Sequence, residues 1–207
     1  MENTLVSMKN KKKRGINLKK EYAESWKYLW SSKKYIQIVF YVFVVFAIIG
    51  FFVPVPELIA DKILTFLKEI IEQTKDLGFF GLFKFIFLNN VKSSFFGIVL
   101  GIVFGIFSIL IALANGFLLG FVASLSVRAE NIFVLWRIFP HGVFELPALF
   151  ISLGLGLRLG FFVFEDTSKR TFKQELLNSG KAFLLIVIPL LFIAGVIESL
   201  FLVSFSG

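Results

Sequence analysis

Few residues in this sequence combine reactive chemistry with an apolar setting. His141 and Glu145 sit four apart in Pro140-His141-Gly142-Val143-Phe144-Glu145-Leu146-Pro147-Ala148, Asn115 precedes Gly116 inside an uncharged run, Asn90 follows Asn89, and Glu198 lies deep in the last apolar stretch. A spacing of four puts His141 and Glu145 on one helix face, within reach of each other. Pro140 suits a first helical position, and an acid in the first turn is favoured by the helix dipole. Pro147, inside the helix, cannot donate to the carbonyl of Val143, which predicts a kink and a free acceptor beside the pair. Polar side chains in hydrocarbon are costly, so each is a candidate for function. Two readings stay open. These residues bond to neighbouring helices and fix the fold, or His141, which titrates near neutral pH, works with Glu145 and Glu198 on protons or ions.

Hydrolytic chemistry lacks its parts. A catalytic zinc site takes three protein ligands and an open position, whereas the chain has one histidine and no H-E-x-x-H pattern. With no cysteine, disulfides, thiolate metal sites and cysteine nucleophiles are excluded. The serines have no second histidine or convincing lysine beside them. The expectation is therefore a protein that is not an enzyme, with no catalytic residue, no metal and no cofactor. An intramembrane hydrolase is the outlying alternative.

The elements that must hold these residues are membrane helices. Of 207 residues 57% are hydrophobic and only 17% charged, against about 25% charged in soluble domains. Ten of the 22 Lys and Arg residues fall between Lys9 and Lys34, before the first apolar run. That is the pattern of a cytoplasmic flank, and no base-reading fold accompanies the charge, so nucleic acid is not an expected partner. Residues 1–35 read as a basic cytoplasmic tail with an interfacial helix, and residues 36–207 as one multispan domain. In the tail Leu18, Tyr22, Trp26, Leu29 and Trp30 recur at helical spacing among lysines. Such a helix lies along the bilayer surface or packs on the protein's own cytoplasmic loops.

The first span is expected from Ile36 to about Val53, stopped by Pro54 and Pro56. Glu57 to about Asp76 reads as an amphipathic helix of mixed charge, resting on the outer surface or against a partner. The stretch from Phe85 to Val127 is long for one span and short for two. Two spans place the basic Glu165–Lys181 loop, with Lys169, Arg170, Lys173 and Lys181, on the same side as the basic N-terminus, as the positive-inside rule asks. The remaining spans run from about Pro140 to Phe164 and from Ala182 to Phe205. The fold class is thus an all-α membrane protein of about five transmembrane helices, with N-terminal and extracytoplasmic amphipathic interfacial helices, multi-pass in the cell membrane with a cytoplasmic N-terminus.

Gly97, Gly101 and Gly105 recur every four residues, as do Gly116 with Gly120 and Gly156 with Gly160. Small residues at this spacing let helix backbones approach closely, and van der Waals contact then drives association in lipid. The seams are expected mainly within the chain, with an oligomer interface as the alternative. A homodimer or other homo-oligomer is expected.

The Asn89-Asn90 pair, the Gly-rich span, Asn115-Gly116-x-x-x-Gly120, the Pro-His-Gly-x-x-Glu-Leu-Pro-Ala run, and Pro189 with Ala194 and Glu198 together resemble the stage II sporulation protein M family, from about Asn89 to Glu198. The positions matching its pattern are Asn90, Asn115, Gly116, His141, Gly142, Glu145, Pro147 and Glu198. The resemblance implies a multispan membrane protein with a cytoplasmic N-terminus and no assigned catalysis. In spore formers it implies a role in engulfment, holding peptidoglycan-degrading partners together at the septal membrane; members also occur outside spore formers. The expected function is a membrane scaffold or organiser that positions other membrane or envelope proteins, against the alternative of an ion, proton or lipid transporter or channel using His141, Glu145 and Glu198.

Overall fold

The computed structural model describes residues 17–164 and 170–205, with the side chains of 137–141 outside the described set. The described residues are all-α. Helix α1 (Leu18–Ser31) leads into α2 (Lys33–Phe52), α3 (Glu57–Thr74), α4 (Phe79–Gly101) and α5 (Ile106–Ala129). A 3-10 segment (Ile132–Ile138) precedes α6 (Phe139–Phe161), which ends in a 3-10 turn (Phe162–Phe164). Then α7 (Phe172–Ala182) passes through a π turn (Phe183–Val187) into α8 (Ile188–Phe205). Five stretches are long and apolar enough to cross a membrane: α2, α4, α5, Gly142–Phe164 and the 33-residue Phe172–Ser204.

The helix limits depart from the sequence expectation where local chemistry overrides hydropathy. The last span, expected from Ala182, is already helical at Phe172. Thr171 accepts from Gln174 N–H while the Gln174 side chain accepts from Thr171 N–H, a capping box that starts α7 in its polar part. Pro189 has no N–H for the carbonyl one turn back, and the chain absorbs this in the π turn, where Ile188 N–H reaches Phe183 O. The helix therefore continues instead of breaking.

The long apolar stretch does divide in two, at residues 102–105. Phe104 and Gly105 adopt positive φ, 52° and 70°. The amides of Ile102, Val103, Phe104, Gly105 and Ile106 all find carbonyls within the turn or the end of α4. A turn without polar side chains can then sit at a bilayer edge without leaving its backbone donors unmet. Gly105 was expected on the same helix face as Gly97 and Gly101; it is instead the left-handed residue that reverses the chain.

The glycines set which helices run together. A Cβ on Gly101 would stand 2.6 Å from Gly156 Cα, one on Gly97 2.6 Å from Leu153 Cδ2, and one on Gly160 would collide with Gly105 N and Gly101 O. Thus α4 and α6 lie parallel, backbone against backbone. On the other side, Cβ atoms on Gly116 and Gly120 would strike the carbonyls of Phe43 and Ala47, so α5 packs parallel to α2. All three seams are occupied by helices of the same chain. Helix α6 is the central element, its span window 67% buried against 22–33% for the others, and Leu153, Leu155, Leu157 and Leu159 are fully enclosed.

This topology gathers α1, the α4–α5 turn, the end of α6 and the start of α7 at one end of the bundle. Helix α3 and the 3-10 segment before α6 lie at the other. Helix α1 packs on the chain's own bundle through buried Ser25, Tyr28 and Leu29, while Leu18, Tyr22, Trp26 and Trp30 are exposed. Helix α3 has no buried residue, as an amphipathic helix laid over the bundle end would not.

Candidate functional site: a polar intramembrane cavity

Four of the polar residues singled out by sequence line one cavity of about 380 Å³: Asn90 from α4, Asn115 from α5, Glu145 from α6 and Glu198 from α8. Asn89, Ser93 and Ser94 add a polar strip along α4, and Phe66, Ile70 and Thr74 of α3 close the far side. A second, more apolar chamber of about 330 Å³ adjoins it, walled by Phe43, Leu67, Leu119, Val122 and Leu146. Asn115, Leu118, Glu145 and Leu149 belong to both. These volumes lie at the lower end of those that hold small ligands, about 300–1,000 Å³.

The positions follow from helix register. Asn89, Asn90, Ser93 and Ser94 occur at spacings of three to four and so share one face of α4. Gly116 and Gly120 bring α5 against α2, which turns the adjacent Asn115 toward α4 and α6. Asn115 Nδ2 donates to Ile111 O, 2.8 Å away in its own helix. Glu145 and Glu198 each carry a carboxylate oxygen, Oε2, shut off from solvent. Pro147 lies within α6, which stays helical through it. Gly142 makes only ordinary contact, with Leu146. The His141 side chain lies outside the described residues, so its expected pairing with Glu145 does too. Among the described residues no group of His, Cys, Asp or Glu is placed to hold a metal ion.

A second polar cluster was not singled out by the sequence reading. At the N-terminal end of the bundle, Arg158 of α6 and Glu175 of α7 form a buried ion pair, Nε to Oε2 at 2.8 Å and Nη2 to Oε1 at 3.3 Å. Arg158 Nη1 donates to Ser31 Oγ at 2.6 Å and Ser32 Oγ at 2.7 Å, and both hydroxyls donate to Tyr28 O. Tyr28 donates to Glu175 Oε2 at 2.9 Å, shares a 3.0 Å bond with Ser179 Oγ, and lays its ring under the guanidinium at 4.3 Å. Arg170 adds a contact to Glu175 Oε1 at 3.1 Å. Burial pushes the Tyr28 hydroxyl well above the usual phenol range, so it stays a neutral donor. The cluster fastens α1 to the end of α6 and to α7. Lys181 pairs with Glu21 at its edge. The one signal in the sequence was an arginine inside an apolar run.

An uncharacterized protein of Methanocaldococcus jannaschii is 31% identical over 121 residues, covering 56% of this chain and 68% of the relative. No solved structure matches significantly. The family model for Stage II sporulation protein M matches residues 39–201, a stretch that includes Asn90, Asn115, Glu145 and Glu198, and its members form no known enzyme family. The chain belongs to the stage II sporulation protein M family of sporulation-related, multi-pass membrane proteins.

Proposed function

We propose that the protein binds a polar group within the bilayer and handles it as a carrier, of a solute or of a lipid, without chemical conversion. The observation that carries this reading is that Asn90, Asn115, Glu145 and Glu198, from four different helices, line one open cavity. A fold-fixing network would gain from tight packing; a void faced by amides, hydroxyls and carboxylates is what a ligand site requires. Helix α3, which lines both chambers while burying none of its own residues, is the natural cover.

The test uses the absence of native cysteine. Asn115→Cys and Ser94→Cys in the full chain, reconstituted in lipid, are expected to react with a small water-soluble thiosulfonate reagent, and Ser108→Cys, buried between α4 and α6, is not. If all three are equally inert in folded protein, the cavity is closed and the carrier reading fails. The scaffold role expected from the family is the second reading, supported by family membership. It would then be the better account, with the polar residues serving the fold.

A further inference from the structure

The depth of helix α1 is set by its partners. Tyr28 and Leu29 belong to one apolar cluster with Leu155 and Leu159 of α6 and with Phe183 and Ile186 of the π turn. Arg158 and Glu175 fasten the same end of α1 through Tyr28 and Ser31. A single residue, Ser32, separates it from the first span, Lys33–Phe52. The helix therefore lies against the last turns of the spans, at the bilayer edge, and not out in water.

Successive residues of a helix turn by about 100°, and α1 divides into three faces. Ser25, Tyr28 and Leu29 turn to the bundle and are buried. Tyr22, Trp26 and Trp30, four apart, form a stripe about a third of a turn away, and they are 47%, 47% and 74% exposed. Lys20, Glu24 and Lys27 make the third face, exposed as well. A buried, an aromatic and a charged face in that order suit a helix lying where protein, lipid and water meet, because indole and phenol rings settle at headgroup level.

The charge along this edge is unbalanced. Glu24 pairs with Lys20 and Glu21 with Lys181, so both acids of α1 are matched. Lys19, Lys27, Lys33 and Lys34 are exposed, and among the described residues no acid pairs with them. Lys19 falls within the aromatic stripe by register. The Lys33 ammonium stands 5.5 Å from the centre of the Trp30 ring, a cation–π distance.

We infer that this stripe selects anionic phospholipid from the leaflet at that end of the bundle, with lipid phosphates at Lys19 and Lys33 and the upper acyl carbons against Trp26 and Trp30. The inference is independent of the carrier reading, since none of these residues lines either cavity. Lipid is the occupant because the depth fixed by Tyr28 and Leu29 leaves the rings facing the hydrocarbon edge. An anionic head brings net charge to four unmatched lysines, whereas the choline of a zwitterionic head offsets its own phosphate.

The test uses the protein's own fluorescence. The chain has three tryptophans, and Trp136→Phe in the full chain leaves the two of α1 as reporters. That protein is reconstituted in equimolar phosphatidylglycerol and phosphatidylcholine, with acyl-chain bromine, a contact quencher, on one lipid or on the other. Relative association read from the quenching is expected to favour phosphatidylglycerol by about fivefold, the scale of one lysine at a charged bilayer surface. Adding Lys19→Gln and Lys33→Gln, at exposed positions without acid partners, should bring the preference to about twofold or less. Equal quenching by the two lipids before the lysines are changed overturns the inference, and so does a preference that survives their replacement. Quenching by neither lipid overturns it too, and aqueous acrylamide then tells why: strong quenching places the stripe in water, and weak quenching places it under protein, a second copy or another partner.

Discussion

Arg158 directs four N–H contacts at three partners, two on the Glu175 carboxylate and one each on Ser31 and Ser32. With the arginine 6% and the glutamate 3% exposed, neither charge has water to fall back on. Removing Glu175 leaves Arg158 buried without a carboxylate, which costs about 3–5 kcal/mol, and removing Arg158 leaves Glu175 held only by Arg170 and Tyr28, whereas replacing both by apolar residues of similar volume is often close to neutral. Arg158→Met and Glu175→Leu are each expected to lower thermal stability in detergent sharply, and the double variant to be more stable than either single one. A double variant as unstable as the worse single would mean that the pair acts mainly through its serine and tyrosine bonds. The residue scale is also where sequence reading was uneven. Asn90, Asn115, Glu145 and Glu198 stood out because each is polar in an apolar run. Arg158 gave the same signal, but its partners lie on α7 and on α1, and Tyr28 and Glu175 are 147 residues apart. No local spacing announces such a contact.

At the level of elements, the bundle is organised by where side chains are missing. Gly101→Leu would drive a side chain into Gly156 backbone, and neither α4 nor α6 can retreat, because α6 is enclosed on most sides. It is expected to abolish folded, monodisperse protein in detergent, judged by size-exclusion chromatography. Gly78→Ala, whose Cβ would meet nothing within 4 Å, should leave the elution profile unchanged. Equal behaviour of the two would remove the seam from the account. Gly105→Ala tests the turn separately: its φ of 70° strains any side chain by about 1 kcal/mol, and Leu157 Cδ1 already stands 2.5 Å from where a Cβ would go. The elements themselves were legible as far as hydrophobic length and charge asymmetry reach, which gave five spans and the amphipathic α1 and α3. The turn at 102–105 was not, since it contains no polar residue and its Gly105 fits a helical glycine repeat as well as a reversal. The early start of the last span was hidden in polar α7, whose capping box is a local signal weaker than hydropathy.

For the whole molecule, five spans with α1 and the start of α7 at one end mean that Lys19, Lys20, Lys27 and Lys173 share a side of the membrane, with α3 on the other. The positive-inside rule predicts that the first side is the cytoplasmic one. In sealed cells, Lys75→Cys just after α3 is therefore expected to react with an impermeant maleimide, and Lys27→Cys only after the membrane is opened. The reverse pattern would invert the topology and put the cavity's α3 cover on the cytoplasmic side. The cavity itself belongs to this scale, because no single helix makes it: α4, α5, α6 and α8 each contribute one of the sequence-flagged polar residues, and α3 closes it. The carrier reading rests on these helices meeting around a space.

The direct measurement is a high-resolution crystal structure of the full chain grown from a lipid mesophase. The account predicts ordered non-protein atoms, a lipid head or a chain of waters, between Asn115, Glu145 and Glu198. Those side chains bonded directly to one another, with α3 packed down and no space between, would contradict it.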